Sequence, residues 1–344
     1  MSVVPTPVSG SPSPVVTEGA TSTSSDGDSG CVDSDLDEIM RISRIAIPGE
    51  RSSVYREVHR GALVRMAPGA MIPTGIWTGK TPEQQHRLRA IVVAERRPGL
   101  VFSHRTAAIL WDLPLLGGPP ERLDSIRMLD PGGHGDAIVR LHRTTVPFEV
   151  VAESGLRMTT ASRTLLDLAR TASTPCAVVA LDAARARGVA TLEGLRDELA
   201  KGSARGSRRA ADALELSDAR SGSPGESWSR VVMRDGGLRR PALQVEHRDA
   251  AGLIGFVDFE WPQQGIVGEF DGLGKYWRQE FTGGRSAADI VIAEKIREDR
   301  LRSLGLRVVR WGWADLRNPS ALLQRLRAAG VPREQEGRSA ARMN

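Results

Sequence analysis

Two cysteines in 344 residues leave no material for a disulfide framework. Cys31 lies in a Ser/Thr/Pro/Gly stretch and Cys176 in an apolar helical pattern, so no zinc site is expected and a reducing cytoplasm fits. Aromatic residues are scarce, at 4%. No apolar run approaches ~18 residues, which argues against a transmembrane helix. The N-terminus lacks a basic start followed by an apolar core, so a secretory signal is not expected. There is no GxxxxGK[ST] loop and no dinucleotide fingerprint after a strand, which disfavours nucleotide-handling chemistry of those kinds. Lysine is rare too: four of the 47 basic residues, Lys80, Lys201, Lys275 and Lys295.

What is present points to an α+β chain of several domains, since 344 residues exceed one typical core. Residues 1–33 have the composition of a disordered tail. Residues 34–75 alternate two short helical patterns with LVRMAPGAMIP, which reads as two strands around Pro68-Gly69. Helices followed by a small hairpin are the ingredients of a winged-helix-like module, with Arg51, Arg56 and Arg60 as candidates to meet DNA. The same pattern also describes a small structural subdomain with solvated arginines. Residues 76–200 form a middle α+β domain, in which Thr81 caps a helix and His104, His134 and His142 lack ligand spacing. Residues 201–223 read as a linker or helix lead-in. Between 201 and 240, nine Lys/Arg face five Asp/Glu, a basic excess suited to a polyanion or to a solvated segment.

Five of the seven tryptophans, Trp228, Trp261, Trp277, Trp311 and Trp313, follow residue 225 and indicate a separate core over 224–330, ahead of a flexible tail at 331–344. Its expected order is α-β-β-β-α-β-α. Within it, VDFEWPQQGIVGEFDGLGKY (257–276) sets four carboxylates among large apolar residues. With Pro262–Gly265 as the loop, Trp261 faces Ile266, Glu260 faces Val267 and Asp258 faces Glu269. Alternation then puts Asp258, Glu269 and Asp271 on one face and Phe259, Trp261, Ile266 and Phe270 on the other. Like charges opposed on one face destabilise a sheet unless a cation sits between them, and Mg²⁺ takes a few carboxylate oxygens and keeps several waters. An exposed hairpin that happens to be acidic is the alternative.

The order of elements, with Asp on the second strand and Glu on the third, resembles the PD-(D/E)XK nuclease fold. More narrowly, PGESWSRVVMRDGGL, VDFEWP, GEFDGLGKY and EKIREDRLRSLGLRVVRWGWADL resemble an actinobacterial domain of unknown function related to very-short-patch-repair endonucleases. VYREVHRGALVRMAPGAMIP, SHRTAAILWDLP and TTASRTLLDLAR resemble the AbiEi-type antitoxin and transcriptional-regulator family.

The first resemblance implies a restriction-endonuclease-like α/β domain in which Asp258 and Glu269 hold Mg²⁺ for phosphodiester hydrolysis. Asp271 stands where such nucleases usually keep lysine, and Lys275 or Lys295 is left to supply that charge. Glu226 matches a further acidic ligand of some relatives, while Ser223-Pro-Gly-Glu226 also reads as a capping box. Gln244 lies on the first strand, close enough in order to approach the site, although a surface position explains it as well. Arg297 and Arg300, with Arg302, are candidates for phosphate contact. The implied function is a Mg²⁺-dependent DNA endonuclease. The second resemblance implies a non-catalytic regulator with DNA and a cognate toxin as partners.

Overall fold

Proline and glycine punctuate the chain where its elements end, and the structure, a computed structural model, describes residues 16–18, 36–45, 47–129, 135–202, 205–272 and 287–334. The fold is α+β, divided into two compact units: 1–171 with 192–207, and 172–191 with 208–344. No helix among the described residues is long and apolar enough to cross a membrane.

The first unit runs β1 (Val16–Glu18), β2 (Met40–Arg41), α1 (Pro48–His59), β3 (Leu63–Ala67), β4 (Ala70–Pro73), α2 (Thr74–Thr78), α3 (Pro82–Arg96) and α4 (His104–Leu110). It continues through β5 (Leu123–Met128), β6 (Val139–Thr144), β7 (Val150–Glu153), β8 (Leu156–Thr159) and α5 (Ala161–Thr171). Helix α6 (Thr174–Ala186) belongs to the second unit, and α7 (Leu192–Lys201) returns to the first.

Strands β3 and β4 form the expected hairpin, with β2 added beside β4. Gly69 turns it with a φ of +70°, a conformation that costs a side-chain-bearing residue about 1 kcal/mol or more. Helix α1 lays Val54 on Leu63 and Met71 and leaves Arg51, Arg56 and Arg60 exposed. Thr81 caps α3 as its sequence predicts, in a reciprocal box with Gln84.

No boundary separates 34–75 from the residues that follow. Met66, Ala67 and Ile72 of the hairpin share one core with Leu88, Val92, Phe102, Leu123 and Met158. Strands of four and five residues bury too little to stand alone, so the hairpin takes its core from α3 and the strands beyond.

Two of the three histidines noted in the middle region meet inside this unit. His104 and His142 stack with ring centroids 3.7 Å apart, and His142 Nε2 lies 2.9 Å from Asp124 Oδ1. His104 has a φ of +49° and Nδ1 within 3.0 Å of Ser103 Oγ. His86 Nε2 reaches Thr106 Oγ1 at 2.9 Å. His134 lies outside the described residues.

The second unit contains α6, α8 (Ser207–Leu216), α9 (Pro224–Asp235), β9 (Ala242–Asp249), β10 (Gly252–Trp261), β11 (Ile266–Phe270), α10 (Ala287–Ser303), β12 (Arg307–Trp311), α11 (Trp313–Arg317) and α12 (Pro319–Ala328). The stretch read as linker or helix lead-in contains a helix: α8 buries Ala210, Ala213, Leu214 and Leu216. Alanines at helical spacing carry little hydrophobic signal, which hides such a helix in a Ser/Arg-rich context. Beyond α8, Asp182 of α6 pairs with Arg230 of α9 at 2.7 Å in a buried bridge and accepts the Asp218 N–H at 2.7 Å.

The sheet order is β12-β11-β10-β9, with β11 and β12 parallel and the other pairs antiparallel. Both faces are covered. Phe259, Trp261, Ile266 and Trp311 pack with Val232, Met233, Leu316, Leu322 and Leu326. On the other face Leu301 of α10 meets Ile254 and Val267. The last helix of the expected order is interrupted at Asn318-Pro319, because proline cannot continue the ladder of the helix before it.

Candidate functional site

Loop position sets the hairpin register. The pairs Trp261↔Ile266, Glu260↔Val267 and Phe259↔Gly268 follow from Pro262–Gly265 as the connection, and they aim Asp258 at the end of β11. There its carboxylate takes over from the ladder: Oδ2 accepts the Phe270 N–H at 2.8 Å. Oδ1 accepts from Gln244 Nε2 at 3.1 Å, and the same nitrogen donates to Glu226 Oε2 at 2.9 Å. Glu226, Gln244 and Asp258 thus form one chain across α9, β9 and β10.

Glu226 serves its helix and the site together. Ser223 Oγ accepts the Glu226 N–H at 3.3 Å and donates to Glu226 Oε1 at 2.8 Å, while Gly222 N–H donates to Oε2 at 2.7 Å. Burial pushes its carboxyl pKa up, the Asp258 charge adds to the rise, and these donors hold it back. Two glycines make room. A Cβ at Gly225 would lie 1.9 Å from the Phe270 ring, and one at Gly222 would lie 3.3 Å from both Glu226 oxygens.

Glu269 is buried, 8% exposed, on β11 beside Arg310 of β12. Its Oε2 meets Arg297 of α10 at 2.7 Å, while Oε1 is buried with no hydrogen-bond partner among the described residues. Burial raises its pKa to about 7, Arg297 opposes the rise, and Asp258 adds to it. An orphaned carboxylate oxygen inside a protein is a place where a cation or a water belongs.

Asp271 lies one residue past β11, held through its N–H to Trp311 O at 2.7 Å. Among the described side chains no group of three or more His, Cys, Asp or Glu is arranged to hold a metal. Lys275 lies outside the described residues, and Lys295 is exposed on α10.

Arg297 and Arg300, expected at phosphates, are engaged within the unit. Arg297 pairs with Glu269 and Glu294, and Arg300 takes both Asp249 oxygens at 2.7 and 2.6 Å with the Gly252 carbonyl at 3.1 Å. Their spacing on a charged helix resembles a solvated face, and only the fold brings the acids of β9 and β11 beneath them. Asp258 and Glu269 offer oxygen donors, as a hard cation prefers, and Mg²⁺ is commonly held by one or two carboxylates. By donor chemistry, and by the unpartnered Oε1 of Glu269, the residues fit such an ion.

No protein-family model matches the chain. It is 28% identical over 272 residues to two sequences described as uncharacterized proteins of Mycobacterium tuberculosis, from strains CDC 1551 / Oshkosh and ATCC 25618 / H37Rv. Each alignment covers 75% of this chain and 89% of the relative. The crystal structure of the RV2827C protein from Mycobacterium tuberculosis is 16% identical, with a TM-score of 0.35 over 64% of this chain and 87% of that one. At that score the likeness carries no argument.

Proposed function

We propose that the second unit is a restriction-endonuclease-like, Mg²⁺-dependent phosphodiesterase domain acting on DNA. The observation that carries this reading is Glu269: a buried carboxylate with one oxygen unpartnered among the described residues, felt by the charge of Asp258, which Gln244 in turn joins to Glu226. Asp258 and Glu269 are the residues that would hold the ion, with Glu226 next to them. When bound, Mg²⁺ supplies positive charge that polarises a phosphoryl oxygen and makes a water more acidic.

The remaining roles belong to the chain. Arg297 balances Glu269 in place of the lysine that Asp271 replaces. Asp258 fixes the end of β11 by holding the Phe270 N–H. In the first unit, α1 with the β3–β4 hairpin supports a winged-helix-like module, with exposed Arg51, Arg56 and Arg60 on the helix that would meet DNA.

The test is cleavage of supercoiled plasmid with Mg²⁺ by the full chain and by Asp258→Ala with Glu269→Ala. Nicking or linearisation that disappears in the double variant supports the reading. Cleavage that survives in it, or none by the wild type with Mg²⁺ or Mn²⁺, overturns it.

The Glu269–Arg297 pair and the aspartate at position 271 favour a second reading, an AbiEi-type regulator that binds DNA and a cognate toxin without cutting. Salt-dependent DNA binding by a chain that never cleaves would select it.

A further inference from the structure

Gln244 is one of four described non-glycine residues with a left-handed backbone, at a φ of +51°. It sits inside β9, between the ladder pairs Leu243↔Phe259 and Val245↔Val257. A strand interior gives no local reason for that conformation, which is strained and persists only when the surroundings impose it. What they impose is the position of one amide nitrogen. Nε2 donates to Glu226 Oε2 at 2.9 Å and to Asp258 Oδ1 at 3.1 Å, using both hydrogens of the carboxamide. Two donors diverging from one planar nitrogen fix where those two oxygens stand relative to each other.

We infer that Gln244 is a positioning residue, which clamps the carboxylates of Glu226 and Asp258 side by side without adding charge. Neutrality is the point. A lysine or arginine at 244 could bridge the same acids, but it would cancel the negative potential that draws a cation. The amide offsets part of their repulsion and leaves that potential in place. Gly222 completes the clamp, since its N–H shares Glu226 Oε2 and a Cβ there would stand 3.4 Å from Gln244 Nε2. The purpose given to the clamp rests on the cation reading above, whereas the clamp itself does not.

The experiment has two arms on the full chain. The first uses Mn²⁺ as probe, titrated by calorimetry against wild type, Gln244→Leu and Gln244→Gly. Both variants should bind Mn²⁺ about 10- to 100-fold more weakly, the usual loss when a residue that orients ligands is removed. Gln244→Gly relieves the left-handed strain and should hold its urea midpoint at least as high as that of Gln244→Leu. Affinity unchanged in both variants, or falling only in proportion to lost stability, makes Gln244 structural and overturns the inference. The second arm needs no metal. Unfolding equilibrium constants are measured for Gln244→Leu, Asp258→Ala and the double variant. Double-variant effects that depart from the product of the single ones by at least threefold support the clamp, and independence overturns it. Wild type that binds no Mn²⁺ while the coupling is present removes the cation reading and leaves the clamp standing.

Discussion

Arg297 binds Glu269 Oε2 at 2.7 Å with a guanidinium that also reaches Glu294 at 3.1 Å, so one helix cation neutralises a strand acid from across the layer. Arg297→Gln should destabilise the second unit by about 3 kcal/mol at pH 7.5, because a buried carboxylate loses its partner. Folded, Glu269 keeps a proton up to about pH 7 that the unfolded chain releases near the ordinary glutamate value of 4.5. Its contribution therefore falls as pH rises through that window. Urea denaturation of Glu269→Gln between pH 5 and 8 should show a correspondingly flatter loss.

The first unit should respond to acid in the opposite sense. Burial is the main cause that holds His86 and His104 near pKa 4 instead of 6.5. Between those values the unfolded chain takes up protons that the folded one refuses, so stability is full above about 6.5 and lost as pH falls toward 4. Each histidine accounts for on the order of 3 kcal/mol at the acid end. His86→Gln and His104→Asn, the latter at a residue type that tolerates a left-handed backbone, should each flatten the slope in thermal melts from pH 7.5 to 4.5.

Gly225→Ala places a methyl 1.9 Å from the Phe270 ring and should cost at least about 2 kcal/mol, since neither α9 nor β11 can yield alone. Gly222→Ala, with its nearest atoms at 3.3 Å, should cost less. Comparing urea midpoints of the two variants checks the order.

Asp182→Ala strands Arg230, 9% exposed, and leaves the Asp218 N–H without its acceptor. A loss of about 3–5 kcal/mol is expected, and Asp182→Asn should recover part of it by keeping an acceptor. Chemical denaturation of both variants measures the difference.

Arg56 on α1 and Arg60 at its C-terminal cap are exposed, and in the proposed DNA complex each neutralises about one phosphate. Arg56→Ala with Arg60→Ala should weaken duplex binding at low salt and lower the slope of log K against log salt by about 2. A fluorescence-anisotropy series from 50 to about 300 mM salt reads it, and an unchanged slope removes α1 from the interface.

Much of the second unit is legible in residue pattern. Pro262 and Gly265 close the hairpin and so set its register, and the apolar set Phe259, Trp261 and Ile266 chose its face. The cap at Ser223 follows from Ser-Pro-Gly-Glu. Less visible was Gln244, since no local pattern marks a glutamine that needs two carboxylates from other elements to explain it. The pairing of His104 with His142 was equally hidden, because one begins α4 and the other lies on β6, 38 positions apart in the chain. Helix α8 escaped notice because alanine supplies helix propensity with little hydrophobic contrast.

By itself the sequence determined element types, the hairpin register and the concentration of acids at 258–271, because those depend on alternation, turn residues and caps acting over a few positions. The tertiary structure alone decided which groups meet the acids: it joined Glu226 to Asp258 through Gln244 and set Arg297 over Glu269. Those outcomes depend on how helices cross a sheet, and that geometry is set by packing that includes Leu301 and Trp311, far along the chain from Asp258 and Glu269.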